Sequence, residues 1–418
     1  MTEFKLHPPV LRLVVQSLEE IFSQGRYADK VIERVSKTAK VRLGARDRRL
    51  LAESVYDIVR WWRTLWVVVH GHPFPEAQAL GPKEFWPIVG AWLVLFKGFE
   101  QLPPWPEWAG QPLPKELKDR FQNLSEADRS SFPDWINQLG ADQLGESRWL
   151  QMREVLNQQA PVFLRVNRLK CSRQELQDRL SQEGIETLAV EGVDSALKLS
   201  QRAPVFRTEA FKLGWFEVQD LGSQHIAPFL EVKPQHRVVD ACAGAGGKSL
   251  HLAELMQNKG RILAMDVHQW KLNELRTRAR RAGVDLIETR LIDSTKIIKR
   301  LRGQVDRLLL DVPCSGLGVI RRNPDSKWKL QPAEVKRLEE VQAQLLNDYS
   351  QMVKTGGKMV YATCSLLPSE NQRQVEVFLS HPKGSQWQLE EELILDPVSD
   401  GGDGFYAARL VRRGDSTT

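Results

Sequence analysis

The carboxy-terminal half of this 418-residue chain predicts an α/β fold, a mostly parallel sheet with helices on both faces. Three observations predict it. Short β-rich runs alternate with helical ones from about residue 236, a glycine-rich turn follows the first run, and four consecutive runs end in or lead into Asp. Strands are expected at residues 237–241, 261–266, 286–290, 306–311 and 358–363. Helices are expected between and after them at 248–258, 269–282, 332–354 and 368–380. Two last runs, 388–395 and 405–412, would close the sheet with an antiparallel edge. Ligands of such sheets bind at the C-terminal ends of the parallel strands.

The amino-terminal part reads differently. Residues 10–22 carry apolar side chains at helical spacing, and Asp47 opens a run at 50–69 with Leu50, Leu51, Val55, Ile58 and Val59 on one stripe. Nine of the 13 Trp residues precede residue 150, a shift in composition that marks a separate domain. Trp61, Trp62 and Trp66 could stack on bases, but their helical spacing favours a core. The Pro-rich stretch 72–114 is expected to break into short pieces. A small α/β piece follows, with strands at 162–166 and 196–200 and a helix at 172–183 capped by Ser172. Arg165 and Asn167 stand at the end of its first strand, with structural and functional roles equally open. Domains are accordingly expected at 1–142, 143–215 and 216–418.

Composition narrows the function. Hydrophobic residues make up 42% and charged residues 27%, as in a soluble globular protein. No run approaches the roughly 18 apolar residues of a membrane span, and the first 25 residues lack the layout of a secretory signal. A cytoplasmic protein, without membrane association, is expected. The four cysteines, at 171, 242, 314 and 364, form no Cys-x-x-Cys pair, so neither zinc nor any other metal is expected, nor a disulfide scaffold. Residues 261–330 hold 16 Lys and Arg against 8 Asp and Glu, an excess larger than the +6 of the whole chain. Such a segment suits a phosphate backbone, or a solvated helix face.

The first strand of the α/β region leads into Asp240-Ala-Cys242-Ala243-Gly244-Ala245-Gly246-Gly247-Lys248, whose small residues let a ligand approach the backbone before the helix begins. Such a turn alone suits many nucleotides. Asp266 ends the second strand, about 20 residues on, where a carboxylate can accept from both hydroxyls of an unphosphorylated ribose. Asp293 follows the third strand and Asp311 ends the fourth. Four carboxylates around one cleft disfavour a pyrophosphate. A cationic cofactor with an adenosine end fits better, namely S-adenosylmethionine.

Cys314 and Cys364 fall after the fourth and fifth strands, so both thiols would open into that cleft. A methyl transfer needs a thiol when the acceptor is carbon 5 of cytosine, a feeble nucleophile. A thiolate adding to carbon 6 makes an enamine whose carbon 5 attacks the methyl group. A base must then remove the carbon 5 proton before the thiol leaves. Asp311 is placed to hydrogen-bond the pairing edge of the base, and Lys248 to hold negative charge and favour a thiolate. The base must be single-stranded or flipped out.

These residues resemble the RsmB-like RNA cytosine carbon-5 methyltransferases, a family that includes the Sun, NOP and NSUN types. The motifs are Phe216-Glu-Val-Gln-Asp-Leu-Gly-Ser-Gln224, the Asp240 to Lys248 loop, Asp311-Val-Pro-Cys314, Asn323-Pro-Asp-Ser-Lys-Trp328 and Ala362-Thr-Cys-Ser-Leu366. The resemblance implies a class I Rossmann-like methyltransferase domain with a seven-stranded sheet, preceded by a small RRM-like domain and an all-α NusB-like RNA-binding domain. It implies Cys364 as nucleophile, Cys314 assisting proton removal and release, and residues 242–248, Asp266, Asp293 and Asp311 lining the cofactor site. The family loop often reads Ala-Ala-Pro-Gly-Gly-Lys, and the proline is missing here. Small-subunit ribosomal RNA is the expected substrate, with transfer RNA as the alternative, and a monomer is expected. A DNA cytosine methyltransferase would have its nucleophile in the Pro-Cys motif and need no Cys364. An assembly factor that had lost catalysis would have lost a thiol or a carboxylate.

Overall fold

The structure is a computed structural model that describes residues 6–72, 81–294 and 296–414. The chain forms two compact units, Met1–Gln159 with Ile320–Gln331, and Ala160–Val319 with Pro332–Thr418. Among the described residues no helix is long and apolar enough to cross a membrane.

The first unit is helical. Pro8–Phe22 forms because Val10, Leu11, Val14, Leu18 and Ile21 recur at helical spacing, and all are buried. Ala45–Arg60 is started by Asp47, whose Oδ2 accepts from Gly44 N at 2.8 Å. The expected single run over 50–69 is two helices. Trp61 breaks it, at φ −102° and ψ 24°, and Trp62–His70 follows. Apolar spacing reports burial, and both helices bury a face in one core, so the break leaves no mark in the pattern. The stretch expected to fragment instead holds the 16-residue helix Pro82–Lys97. Pro82 sits in its first turn, where a missing N–H costs nothing, and burial of Phe85, Ile88, Val89, Trp92 and Leu93 outweighs the bond lost at Pro87. Residues 73–80 of that stretch lie outside the described residues. Trp62 is fully buried and stacks on Phe22 with ring centroids 3.8 Å apart, and Trp66 is buried too, so these two rings serve packing.

Residues 320–331 fold with the helices although the chain on either side belongs to the other unit. Lys327 holds this segment in place. It is completely buried, and its Nζ donates to Arg60 O at 2.8 Å, Ser131 O at 2.7 Å and Asn157 Oδ1 at 2.8 Å. The three acceptors match the three N–H bonds of an ammonium. Burial, and then the Arg60 charge, pull its pKa well below the usual lysine value. Trp328 Nε1 donates to Val59 O at 2.7 Å, and Asp325 accepts from Ala28 N at 3.0 Å. Lys327→Met keeps the volume and leaves three buried acceptors bare, so it should cost about 2–3 kcal/mol. Urea unfolding of the full chain measures this, and an unchanged midpoint would refute it.

The second unit contains two sheets. Strands β1 (Phe163–Val166), β2 (Thr187–Ala189), β3 (Ala196–Leu199) and β4 (Phe216–Val218) form an antiparallel sheet of order β2-β3-β1-β4. The helix Arg173–Gln182 packs with them and is capped by Ser172, whose side chain accepts from Glu175 N. The expected boundary at 215/216 therefore cuts through this sheet. Phe216, fully buried, belongs to the small domain's core, although it opens a motif that runs on into the next domain.

The larger sheet comprises β5 (Arg237–Asp240), β6 (Arg261–Asp266), β7 (Ile287–Leu291), β8 (Val305–Asp311), β9 (Val353–Thr363), β10 (Trp387–Leu395) and β11 (Phe405–Arg412). Its order is β10-β11-β9-β8-β5-β6-β7. The pairs from β9 through β7 are parallel, and β11 and β10 close the edge antiparallel, as expected. The helix expected over 332–354 ends at Tyr349, and β9 begins at Val353, five residues before the expected start. Gly356 and Gly357 hid that beginning, since glycines ordinarily punctuate strands.

The basic excess of 261–330 does not form one face. Arg321 and Lys327 are buried in the helical unit, and Arg278 and Arg281 pair with Glu217. The rest of the excess is spread over several elements, with Arg276, Arg280, Lys299 and Arg300 among the exposed residues.

Candidate active site

The strand order reverses at β5, which has β6 on one side and β8 on the other. A ligand cleft opens at such a point, and the glycine-rich turn lies there. Gly244 and Gly246 have φ of 55° and 86°, which an L side chain rarely adopts. A Cβ on Gly246 would also meet Leu275 Cγ at 2.4 Å. The turn is pinned by Ala243 N to Met265 O at 2.8 Å and Gly246 N to Ala243 O at 2.9 Å. The helix Gly247–Leu255 then begins at the loop's end.

Asp266 is fixed by two backbone donors, Gly244 N at 2.9 Å to Oδ2 and His268 N at 2.8 Å to Oδ1. Each oxygen keeps a lone pair for a ribose hydroxyl. Asp293 is exposed after β7, and Ser294 Oγ donates to it at 3.2 Å. Asp311 ends β8 and accepts from Lys248 Nζ at 2.7 Å. Burial lowers the Lys248 pKa, but Asp311 and the nearby Cys364 outweigh it, so the ammonium is retained. Asp240 departs from the expected ring of four carboxylates. It is buried, accepts from Ser249 Oγ at 2.6 Å, and burial pushes its pKa up to about 7. It serves the turn's interior.

Of the cysteines, Cys171 lies in the small domain's core, where burial raises its thiol to about 12. Cys242 lies in the loop, and burial followed by the Asp240 charge keeps it a thiol. Cys314 and Cys364 meet, with Sγ atoms 3.4 Å apart. The register explains this: Asp311 pairs with Ala362, so the turns after β8 and β9 leave the sheet side by side. Gly318 lets them close, since a Cβ there would meet Gly404 O at 2.3 Å and Cys364 O at 2.8 Å. The bond with Cys364, then burial, raises the Cys314 pKa well above the usual thiol value, and Glu370 adds to the effect.

Glu370 was not singled out from the sequence. Fully buried, it accepts at Oε1 from Ser315 N at 2.8 Å and Gln342 Nε2 at 3.0 Å. At Oε2 it accepts from the hydroxyls of Ser315 and Ser365. Each serine follows one of the paired cysteines, so one carboxylate ties together both thiol-bearing turns. Asn371 continues the network, accepting from Thr363 Oγ1 and donating to Ser365 O at 3.1 Å. The available signal was an acidic residue six positions after Cys364, in a stretch that otherwise resembles a surface turn.

The residues present fit an adenosine-bearing cation. The turn offers a close backbone approach, Asp266 has oriented oxygens with lone pairs to spare, and no arginine or lysine is aimed where a pyrophosphate would lie, since Lys248 is taken by Asp311. A seven-stranded sheet of this order, with such a turn after β5, is the architecture of the S-adenosylmethionine-dependent methyltransferases. Comparison with known proteins specifies the kind. A family described as 16S rRNA methyltransferase RsmB/F matches residues 227–411, and an RsmF/B-like ferredoxin-like domain matches residues 132–206. A probable ribosomal RNA small subunit methyltransferase B from Synechocystis is 33% identical over 94% of this chain and 97% of its own. The ribosomal RNA small subunit methyltransferase B of Klebsiella pneumoniae is 29% identical over 96% of this chain and 97% of its own. Among solved structures, a methyltransferase homologue from Pyrococcus horikoshii is 27% identical with a TM-score of 0.61, covering 70% of this chain and all of that one. NSun6 from the same organism shares the fold, at 20% identity and a TM-score of 0.62, over 68% of this chain and all of that one. The chain belongs to the RsmB/F family of ribosomal RNA methyltransferases. It is an S-adenosylmethionine-dependent RNA methyltransferase.

Proposed function

We propose that this chain methylates carbon 5 of a cytosine in small-subunit ribosomal RNA through a covalent cysteine–cytosine intermediate. The observation that carries the reading is the pair of thiols 3.4 Å apart at the ends of neighbouring parallel strands, beside the cofactor turn. Methyl transfer to an oxygen, or to an exocyclic nitrogen, requires no thiol. Carbon 5 of cytosine requires one to make it nucleophilic.

The residues divide the work. Residues 242–248, Asp266 and Asp293 hold the cofactor, which supplies an electrophilic methyl group on its sulfonium. Lys248, kept charged by Asp311, lies within electrostatic reach of Cys364 and favours its thiolate. Cys364 adds to carbon 6, and Asp311 hydrogen-bonds the pairing edge of the base. Cys314, held protonated at rest, lends its S–H to the Cys364 sulfur and later assists removal of the carbon 5 proton. Cys364 then leaves and the ring double bond re-forms. The base must stand out of any helix to reach the thiols.

The test is incubation of the full chain with S-adenosylmethionine bearing a labelled methyl group and RNA from a strain lacking this enzyme, followed by digestion to nucleosides. Label in 5-methylcytidine supports the reading, and label in any other nucleoside rejects it. Separate digestion of the small-subunit and transfer RNA fractions decides between the two substrates.

A further inference from the structure

Two carbonyls of the cofactor turn are held by arginines from outside it. Arg278, on the helix Gln269–Ala282, donates from Nη1 to Ala245 O at 2.8 Å. Arg165, on β1 of the small sheet, donates from Nη1 to Gly247 O at 2.7 Å. Both guanidinium groups are anchored behind. Glu217 Oε2 accepts from Arg278 Nε at 3.2 Å and Nη2 at 3.0 Å, and the Glu217 side chain is only 5% exposed. Gln219 Oε1 accepts from Arg165 Nη1, and Glu254 stands 3.6 Å from its Nε. Arg165 and Glu217 are paired across β1 and β4 in the register of the small sheet.

The turn needs such support. It contains Gly244, Gly246 and Gly247 and no proline, so its backbone has many alternative shapes to sample. A ligand that binds only one of them loses affinity in proportion to the time spent in the others. We propose that Arg165 and Arg278 are positioning residues that lock the 243–248 turn in its cofactor-binding shape, so that the small ferredoxin-like sheet helps to set affinity for S-adenosylmethionine. Arginine suits the task, because its planar fork bonds the carbonyl on one side while a carboxylate or amide fixes the other. The inference depends on cofactor use alone and is independent of which base is methylated.

The experiment is calorimetric titration of the full-length protein with S-adenosylhomocysteine, alongside steady-state kinetics. Arg278→Met and Arg165→Met should each raise Kd about tenfold or more. KM for S-adenosylmethionine should rise in parallel, while kcat at saturating cofactor stays within about twofold, since the locked shape is restored once the site is filled. Arg281→Met is the control. Arg281 pairs with the same Glu217 and stacks on Phe211, so its loss perturbs the same packing without touching the turn. Its Kd should stay within about twofold. Wild-type affinity in Arg278→Met, or equal weakening in Arg281→Met, would overturn the proposal. Arg278 is partly exposed, so its variant decides the matter even if replacement of the buried Arg165 prevents folding.

Discussion

Cys364→Ala is expected to abolish methyl transfer, lowering single-turnover rates about a thousandfold or more, equivalent to ~4 kcal/mol of barrier. Without the thiolate, carbon 5 has no enamine electrons to offer, and neither Asp311 nor Lys248 can supply them. The fold should be indifferent to the change. Cys364 is half-buried at the end of β9, its recorded side-chain hydrogen bond is the one to Cys314, and the Ser365–Glu370 network beside it is independent of the sulfur. Affinity for S-adenosylhomocysteine should therefore stay within about twofold, because the turn and Asp266 are untouched. Rapid-quench assays with labelled cofactor measure the rate, and calorimetry the binding. A rate within tenfold of wild type would remove Cys364 from the nucleophile's role.

Much of this site was legible because strand ends carry the chemistry. A glycine-rich turn, aspartates at the ends of successive strands and two thiols after neighbouring strands are local features, and alternation of elements fixes where they meet. Asp240 shows the limit of that logic, since a strand-end carboxylate can equally cap the turn from inside, and only burial distinguishes the cases. Groups that act across long separations were not legible. Glu370 bonds residues 55 positions earlier, and Arg165 reaches 82 positions to Gly247. Nothing in their immediate neighbours records those contacts. Lys327 counted as one charge in a basic segment, whereas it is buried among helices whose sequence lies 170 to 267 positions away. In the helical unit the spacing of apolar residues located the buried faces correctly and missed the break at Trp61 and the helix through Pro87. Burial sets that spacing, while hydrogen bonding and proline geometry set the ends.

Cys314→Ala should fail in a different and more visible way. Addition by Cys364 and methyl transfer need only Cys364 and the cofactor, so the first half of the reaction should proceed. The second half needs the carbon 5 proton removed before the Cys364 sulfur can leave. With Cys314 gone that removal slows, and the enzyme should accumulate as a protein–RNA adduct with a methylated base. The substitution should leave the site's frame intact, because Ser315 N and Oγ, Ser365 and Gln342 all still converge on Glu370. A denaturing gel of the variant mixed with S-adenosylmethionine and substrate RNA should show a band of reduced mobility that wild type lacks. The band should require the cofactor for a methylated base to be found in it, and should vanish in the Cys314→Ala, Cys364→Ala double variant. An adduct that forms only when Cys364 is replaced would reverse the two roles. In that event Cys314, whose thiol is pushed up by its bond to Cys364 and by burial, would have to ionise on substrate binding. Turnover of that variant would then fall below neutral pH and recover well above it.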